Sequence, residues 1–258
     1  MVKSKKIIRN SKLLEIQTMN DKDFKRYYGV SKSVFFSLCE KLPKEIKQIW
    51  VLWLFSFAKM DYHYLKPLII LGTLRKLSQK KYDLTKNSDR NFHFALTALD
   101  TTVFPIRTMD DQFYSIKHSK RCLKYEAIVT LDKGTCCHLT GPHVGSELDL
   151  VVYIKEVAHL DLLPGEKIFA DEDFCCNEFS SKLIRPIKKT HETMLTNEEH
   201  CFNNWVSSNG IIVKNFFKDL KKFEILKDWR SSIDKHMKMV YFLTWVVNEE
   251  NKTLYKEL

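Results

Sequence analysis

Two aspartates each close an apolar run of the sequence. Asp100 follows residues 92–99 (FHFALTAL), and Asp171 follows residues 166–170 (EKIFA). Acids at the ends of neighbouring strands of a layered α/β sheet can lie close together, so we expect the two carboxylates to converge. Paired carboxylates suit Mg²⁺ or Mn²⁺, and two such ions can activate a water and stabilise the leaving oxygen of a phosphodiester. The alternative interpretation is that both aspartates are ordinary turn residues.

The segment that carries both aspartates has the pattern of strands mixed with helices. An alternating run at 125–132 ends at Lys133-Gly134, a turn signal, and residues 135–140 would form the returning strand of a hairpin. Gly145-Ser146 precedes an amphipathic helix, and Pro164-Gly165 ends it before the strand at 166–170. A late helix has one apolar face, formed by Val213, Phe216, Phe217 and Leu220. This order predicts a mixed α/β layer fold.

Residues 1–85 have the pattern of a basic helical segment. Ser31 is a candidate N-cap, and an apolar helical face follows it before Pro43, formed by Phe35, Leu38, Cys39 and Leu42. Two more helices are predicted, one through residues 49–59 and one over residues 65–77. Three short helices fit a helix-turn-helix and a plain bundle equally well. The polar, aperiodic stretch at 81–91 is the predicted domain join.

Composition and charge limit the class of protein. The 258 residues are 44% hydrophobic and 12% aromatic, which excludes a disordered or low-complexity chain. The net charge of +10 is uneven, because residues 1–99 carry 20 basic and 8 acidic side chains whereas residues 100–199 carry 12 and 17. Such asymmetry favours a basic face for a polyanion joined to a segment where carboxylates gather. A lysine-rich composition without a ligand is the alternative.

Localisation and cysteine chemistry follow from what the sequence lacks. No secretory signal is predicted, and the strongest apolar stretch, residues 49–58, is too short to span a bilayer. The seven cysteines form no CxxC pair, so we expect structural thiols rather than disulfides. Adjacent Cys136, Cys137 and His138 suggest a zinc site only weakly, since zinc sites use spaced pairs. We expect a nuclear or cytoplasmic protein that is not secreted and makes no membrane contact.

The chain from about residue 95 to residue 248 resembles the DDE-type endonuclease domain of Harbinger/PIF-class transposases. The matching pieces keep the order and spacing of the family: ALDTTVFPI (98–106), YSIKHSKRCLKYEAIV (114–129), LTGPHVGSELDLVVY (139–153), LLPGEKIFADEDF (162–174) and IVKNFFKDLKKFEIL (212–226). Residues 24–42 also resemble the helical segment that precedes the nuclease in that family. No Gly-x-Ser-x-Gly, P-loop or HExxH pattern supports an unrelated enzyme.

The resemblance implies an α/β, RNase H-like fold, with a mixed sheet flanked by helices and preceded by a small basic all-helical segment. The expected divisions are a helical segment at 1–85, an endonuclease-like domain at 92–248 and a tail at 249–258. Asp100 and Asp171 would be the catalytic, metal-binding acids, and Asp149 a supporting acid. The implied cofactor is Mg²⁺ or Mn²⁺, the substrate is DNA, and a separate DNA-binding protein is a possible partner.

The chain also departs from the family. Lys214 stands where the third acid of the triad is expected, Asn209 replaces its partner arginine, and Thr101 replaces the glycine after the first aspartate. Replacing a carboxylate by an ammonium changes the local charge by two and repels a dication. Two alternatives stay open. The missing oxygens could come from other acids, namely Glu172, Asp173, Glu198 and Glu199, or the chain is a catalytically inactive, transposase-derived module that binds DNA or protein.

Two groups of basic side chains are candidates for DNA contact. Lys214, Lys218, Lys221 and Lys222 fall at helical spacing opposite the apolar face of the late helix. Lys117, Lys120 and Arg121 lie in a basic stretch next to Tyr114. Either group could bind phosphates and make affinity depend steeply on salt. The alternative for both is an ordinary solvated surface.

Overall fold

The computed structural model describes residues 18–28, 31–41, 95–162, 165–174, 180–188 and 194–254. The predicted helices at 49–59 and 65–77 and the join at 81–91 lie outside these residues. Two short helices come first, α1 (Asp21–Tyr28) and α2 (Lys32–Lys41). Ser31 caps α2 as predicted, because its hydroxyl accepts from the backbone N–H of Val34 at 3.4 Å.

A six-stranded mixed sheet forms the centre of the molecule. Its strands are β1 (Ala95–Pro105), β2 (Tyr114–Ser115), β3 (Lys120–Thr130), β4 (Cys136–Val144), β5 (Lys167–Phe169) and β6 (Leu183–Ile184). The order is β2-β3-β1-β5-β6, with β4 also paired to β3. The pairs β1–β3 and β3–β4 are antiparallel, whereas β1–β5 and β5–β6 are parallel. The predicted mixed α/β fold is confirmed.

The first strand is longer than its sequence pattern indicates. We expected it to end at Asp100, but β1 continues to Pro105, so Asp100 lies in the middle of the strand. The reason is the long antiparallel register with β3, which runs from Thr97 opposite Thr130 to Pro105 opposite Cys122. Residues 101–104 (TTVF) are β-branched or aromatic and pair well in a sheet.

Helices cover both faces of the sheet. One face carries α4 (Asn197–Leu220) and α5 (Ile233–Leu254), and the other carries the shorter α3 (Asp149–Glu156). The predicted apolar face of α4 is buried in the larger of two cores, and Tyr153 of α3 packs in the smaller. Cys136 and Cys137 of β4 pack against opposite cores, so they cannot share a zinc ion.

The described part of the N-terminal segment packs against the same core as the sheet. Phe24, Val34 and Phe35 are buried in the larger core, and the Ser31 hydroxyl donates to Glu250 Oε2 of α5 at 3.0 Å. Helix α5 runs to Leu254, beyond residue 248 where we expected the domain to end, because its buried face continues through Asn248 and Asn251. No helix among the described residues has the length and apolarity needed to cross a membrane.

Candidate functional site

Asp100 and Asp171 meet at one level of the sheet. Strands β1 and β5 are parallel neighbours in which Ala98 lies opposite Phe169, and each aspartate lies two residues further along its chain. The sheet therefore brings the two acids together, although Asp100 does so from within a strand. Burial raises the pKa of Asp100 to about 6, against the lowering effects of the Thr101 N–H, which donates to Oδ1 at 2.7 Å, and of Lys214.

Asp171 forms an ion pair with a lysine of the chain itself. The Lys214 Nζ, from α4, donates to Asp171 Oδ2 at 3.1 Å, and the Glu172 N–H donates to Oδ1 at 2.8 Å. Burial acts to raise the pKa of Asp171, but these two donors hold it below its usual value. The pKa of Lys214 is raised in turn, because Asp171 and Asp100 outweigh the lowering effect of burial. The side chain expected to interrupt the triad thus forms an ion pair with one of its members.

Asp149 is paired even more closely. It is the first residue of α3, where its carboxylate accepts from Lys124 Nζ of β3, and Lys117 Nζ lies 3.5 Å from its other oxygen. The side chain of Lys124 is only 5% exposed. Burial acts to raise the pKa of Asp149, but Lys124, Thr101 and Lys117 hold it below its usual value. The sequence analysis did not identify Lys124 as part of the site. The indication available in the sequence was a charged residue within an otherwise apolar strand.

The four acids offered as substitutes for the third ligand lie in different places. Asp173 lines the same cleft as Asp100, but it is paired with Lys117 Nζ at 3.0 Å. Glu172 is exposed and lines a different cleft. Glu198 and Glu199 are in the first turn of α4, where Glu199 closes a capping box with Thr196. At about 1.5 Å of rise per residue they lie roughly 23 Å along the helix from Lys214. Of the four, only Asp173 reaches the site.

A cleft of about 510 Å³ contains the site. Its floor includes Asp100, Asp149 and Asp171, and its walls carry four lysines together with His118. The lysines are Lys117, Lys120, Lys221 and Lys227. Together with Lys214 and Lys124, six lysines lie around the four aspartates of the cleft. Three of these aspartates form ion pairs with lysines, whereas Asp100 forms none among the described residues.

The basic side chains predicted to contact DNA do not lie on the surfaces that their grouping in the sequence suggests. Lys214 and Lys221, two helical turns apart, both point to the cleft, because seven residues correspond to nearly two full turns. Lys218 and Lys222 line a second cleft, of about 640 Å³, together with Asn209. The single lysine stripe is therefore divided between two surfaces.

The basic stretch before β3 divides in the same way. Lys117 and Lys120 line the first cleft. Arg121 instead pairs with Asp111, and its guanidinium lies over the ring of Tyr114 at 6.0 Å.

Glu126 is a further buried group that sequence reasoning missed. This residue of β3 has no exposed surface, and neither carboxylate oxygen has a hydrogen-bond partner among the described residues. Burial, together with Asp149, Glu156 and Asp100, raises its pKa to about 9. The group is therefore a neutral acid at pH 7. The sequence indicated this group only by a second charged residue in the same apolar strand, two residues after Lys124.

Residues 99–248 match the family described as DDE superfamily endonuclease. The chain belongs to this family. No curated protein and no solved structure matches the chain. The family makes this a transposase-like nuclease domain whose substrate class is DNA, and DDE superfamily endonucleases generally use divalent metal ions.

The acids of this DDE domain do not fit such a pair of metal ions. Asp149, Asp171 and Asp173 each form an ion pair with a lysine, which leaves Asp100 as the only aspartate of the cleft without one among the described residues. Within the described ranges, no group of three or more histidine, cysteine, aspartate or glutamate side chains is arranged to hold a metal. The lysines supply the positive charge that the ions would otherwise bring.

Proposed function

We propose that this chain is a transposase-derived DDE domain of the Harbinger class that binds DNA but no longer cuts it. The ion pair between Lys214 and Asp171 carries the proposal. A dication about 4 Å from the lysine ammonium would be repelled by roughly 8 kcal/mol at an effective dielectric constant of about 20. It would also have to replace the ammonium as the partner of Asp171. Both effects oppose a metal ion between Asp100 and Asp171.

The remaining acids offer no second position for an ion. Lys124 and Lys117 compensate the charge of Asp149, and Lys117 also pairs with Asp173. Among the described residues, Asp100 is the one aspartate of the cleft that forms no ion pair, and a single carboxylate by itself does not hold a pair of ions. Lys120 and Lys221 also line the cleft but form no ion pair among the described residues, so they leave positive charge there that attracts phosphates.

The test is Mn²⁺ binding by calorimetry, with cleavage of a supercoiled plasmid as a second readout. We expect no micromolar binding by the wild-type protein. Lys214→Glu should restore a third carboxylate and bind Mn²⁺, and adding Asp171→Asn to it should abolish the gain. Lys218→Glu makes the same charge change one turn further along α4, on the second cleft, and should bind no better than wild type.

A metal-dependent nuclease acting on DNA phosphodiesters is the second candidate. The side chains of Lys214 and Asp171 are 57% and 43% exposed, and such a pair is weak enough to open. In that case wild type would bind Mn²⁺ at micromolar concentration, and Asp100→Asn with Asp171→Asn would remove both the binding and the plasmid nicking. That outcome would overturn the proposal that the domain no longer cuts DNA.

The resemblance to Harbinger-class transposases leads to two further proposals, which rest only on the sequence segments that match that class. One is a nuclear location, and the other is a separate DNA-binding protein as partner. Imaging of the fluorescently tagged chain tests the first. Crosslinking of the tagged chain in nuclear extract, followed by DNA-affinity selection, tests the second.

A further inference from the structure

Two lysines face the same cleft without a carboxylate partner. Lys120 is the first residue of β3, and Lys221 follows the last residue of α4. Both line the cleft that holds Asp100 and Asp171. Among the described residues neither forms an ion pair, whereas Lys117, Lys214 and Lys227 each do. These two charges are therefore still available to a ligand.

The backbone holds the two lysines in place. Leu220, next to Lys221, and Cys122, two residues after Lys120, are completely buried. The Lys221 N–H donates to the Phe217 carbonyl at 2.9 Å, and Lys120 pairs with Ser115 in the sheet. Because the core fixes both main chains, the lysines can reduce their mutual repulsion only by turning their side chains.

The electrostatics of the cleft show this repulsion. Partial burial and the nearby Lys120 lower the pKa of Lys221, and the opposing effect of Asp100 is smaller. His118, on the same wall, also has a lowered pKa, caused by burial and by Lys117, Lys120 and Lys124. Lys221 and His118 therefore lie in a positive potential, and an anion bound by Lys120 and Lys221 would relieve it.

We propose that Lys120 and Lys221 form a clamp that binds one backbone phosphate of a nucleic-acid strand at the mouth of the cleft, without a metal ion. Two ammonium groups that line one cleft can each donate a charge-assisted hydrogen bond to the phosphate oxygens. The clamp rests on the proposed function, because it names the part of the DNA-binding surface that holds the strand.

The first experiment measures binding of a fluorescent 20-base-pair DNA by anisotropy in EDTA over a series of salt concentrations. We expect Lys120→Ala with Lys221→Ala to weaken binding by at least about tenfold, since hydrogen bonds to charged groups are the stronger kind. The slope of log K against log salt should become shallower by about 0.9, because the clamp neutralises one phosphate of the duplex. The matched control, Lys218→Ala with Lys222→Ala, removes equal charge near the same helix end but on the second cleft.

The outcomes separate the clamp from the function on which it rests. If the wild-type protein does not bind DNA in EDTA, the proposed function fails. If it binds and both double variants weaken binding equally, only the clamp is overturned, because binding then depends on net charge alone. Thermal unfolding of all variants shows whether each one is folded.

A second experiment separates a phosphodiester from free phosphate. Brief acetylation with acetic anhydride, read by mass spectrometry, reports how accessible the Lys120 and Lys221 amines are. We expect a 20-mer duplex to protect both lysines and equimolar inorganic phosphate to leave them reactive. Equal protection by inorganic phosphate would overturn the proposal that the ligand is a nucleic-acid strand.

Discussion

The Lys214 ammonium lies 3.1 Å from Asp171 Oδ2, in the part of the DDE domain where resemblance to its family predicts a third carboxylate. Lys214 thus supplies a bound cation where the resemblance predicts a metal ligand. Lys124 pairs in the same way with Asp149, and Lys117 with Asp173. Ammonium groups of the chain itself therefore neutralise three of the four acids of this centre.

The ion pair predicts a change at Asp171 when its partner is removed. Lys214→Ala should raise the pKa of Asp171, because the ammonium that favours the carboxylate is lost while the burial that disfavours it remains. Carboxyl carbon chemical shifts followed by NMR against pH measure this pKa. Lys218→Ala, which removes a charge from the second cleft, should leave it unchanged. An unchanged pKa in Lys214→Ala would mean that the pair is not formed in solution.

The two best-defined ion pairs should differ greatly in their contribution to stability. Asp149→Asn leaves the Lys124 ammonium buried without its counter-charge, a change that typically costs about 3–5 kcal/mol. Asp171→Asn breaks a half-exposed pair and should cost less than about 1 kcal/mol. Urea unfolding at pH 7 measures both. Equal costs would show that Lys124 can reach solvent when Asp149 is neutral.

The sequence predicts the scaffold of the site better than its charges. Acids after two apolar runs predicted the convergence of Asp100 and Asp171, and the family resemblance predicted Lys214 at the same site. The sequence did not predict the burial of Lys124 and Glu126, because a strand covered on both faces loses the alternation that tells inside from outside. The division of the α4 lysines between two clefts depends on where the sheet edge meets the helix, and helical periodicity carries no information about that contact.

Asp100 makes the domain less stable as the pH rises. Its carboxyl keeps its proton up to a pKa of about 6 when folded but loses it near 3.8 when unfolded, so the unfolded chain binds fewer protons between these values. Stability is therefore lost across this interval, by about 3 kcal/mol in all. Asp100→Asn should stabilise the protein by about that amount at pH 8 and have little effect below pH 4. Urea unfolding at both pH values checks it, and equal effects at both would contradict the raised pKa.

Glu126 should produce a second loss of stability at higher pH. Its carboxyl has a pKa of about 9 in the folded state and 4.5 in the reference state, so stability falls as the pH rises from the lower value to the higher. Glu126→Gln keeps the shape of the neutral acid and should remove this dependence, with a gain of several kcal/mol at pH 9. Exposed Glu224→Gln is the matched control and should change little. A wild-type stability that stays flat between pH 5 and pH 9 would contradict the prediction.

The packing of α2 predicts that the N-terminal helices unfold together with the endonuclease domain. Phe35 is 2% exposed and lies in the core that includes Val246 of α5, whereas its neighbour Phe36 is 37% exposed. Phe35→Ala should therefore lower the unfolding free energy of the whole protein by about 3–5 kcal/mol, the usual cost of deleting a buried ring. Phe36→Ala should cost much less. Far-ultraviolet circular dichroism in urea and the indole N–H NMR signal of the core residue Trp229 should report the same shifted transition for Phe35→Ala. If only the circular dichroism shifts, residues 18–41 unfold on their own, and the boundary expected between the helical segment and the nuclease domain is real.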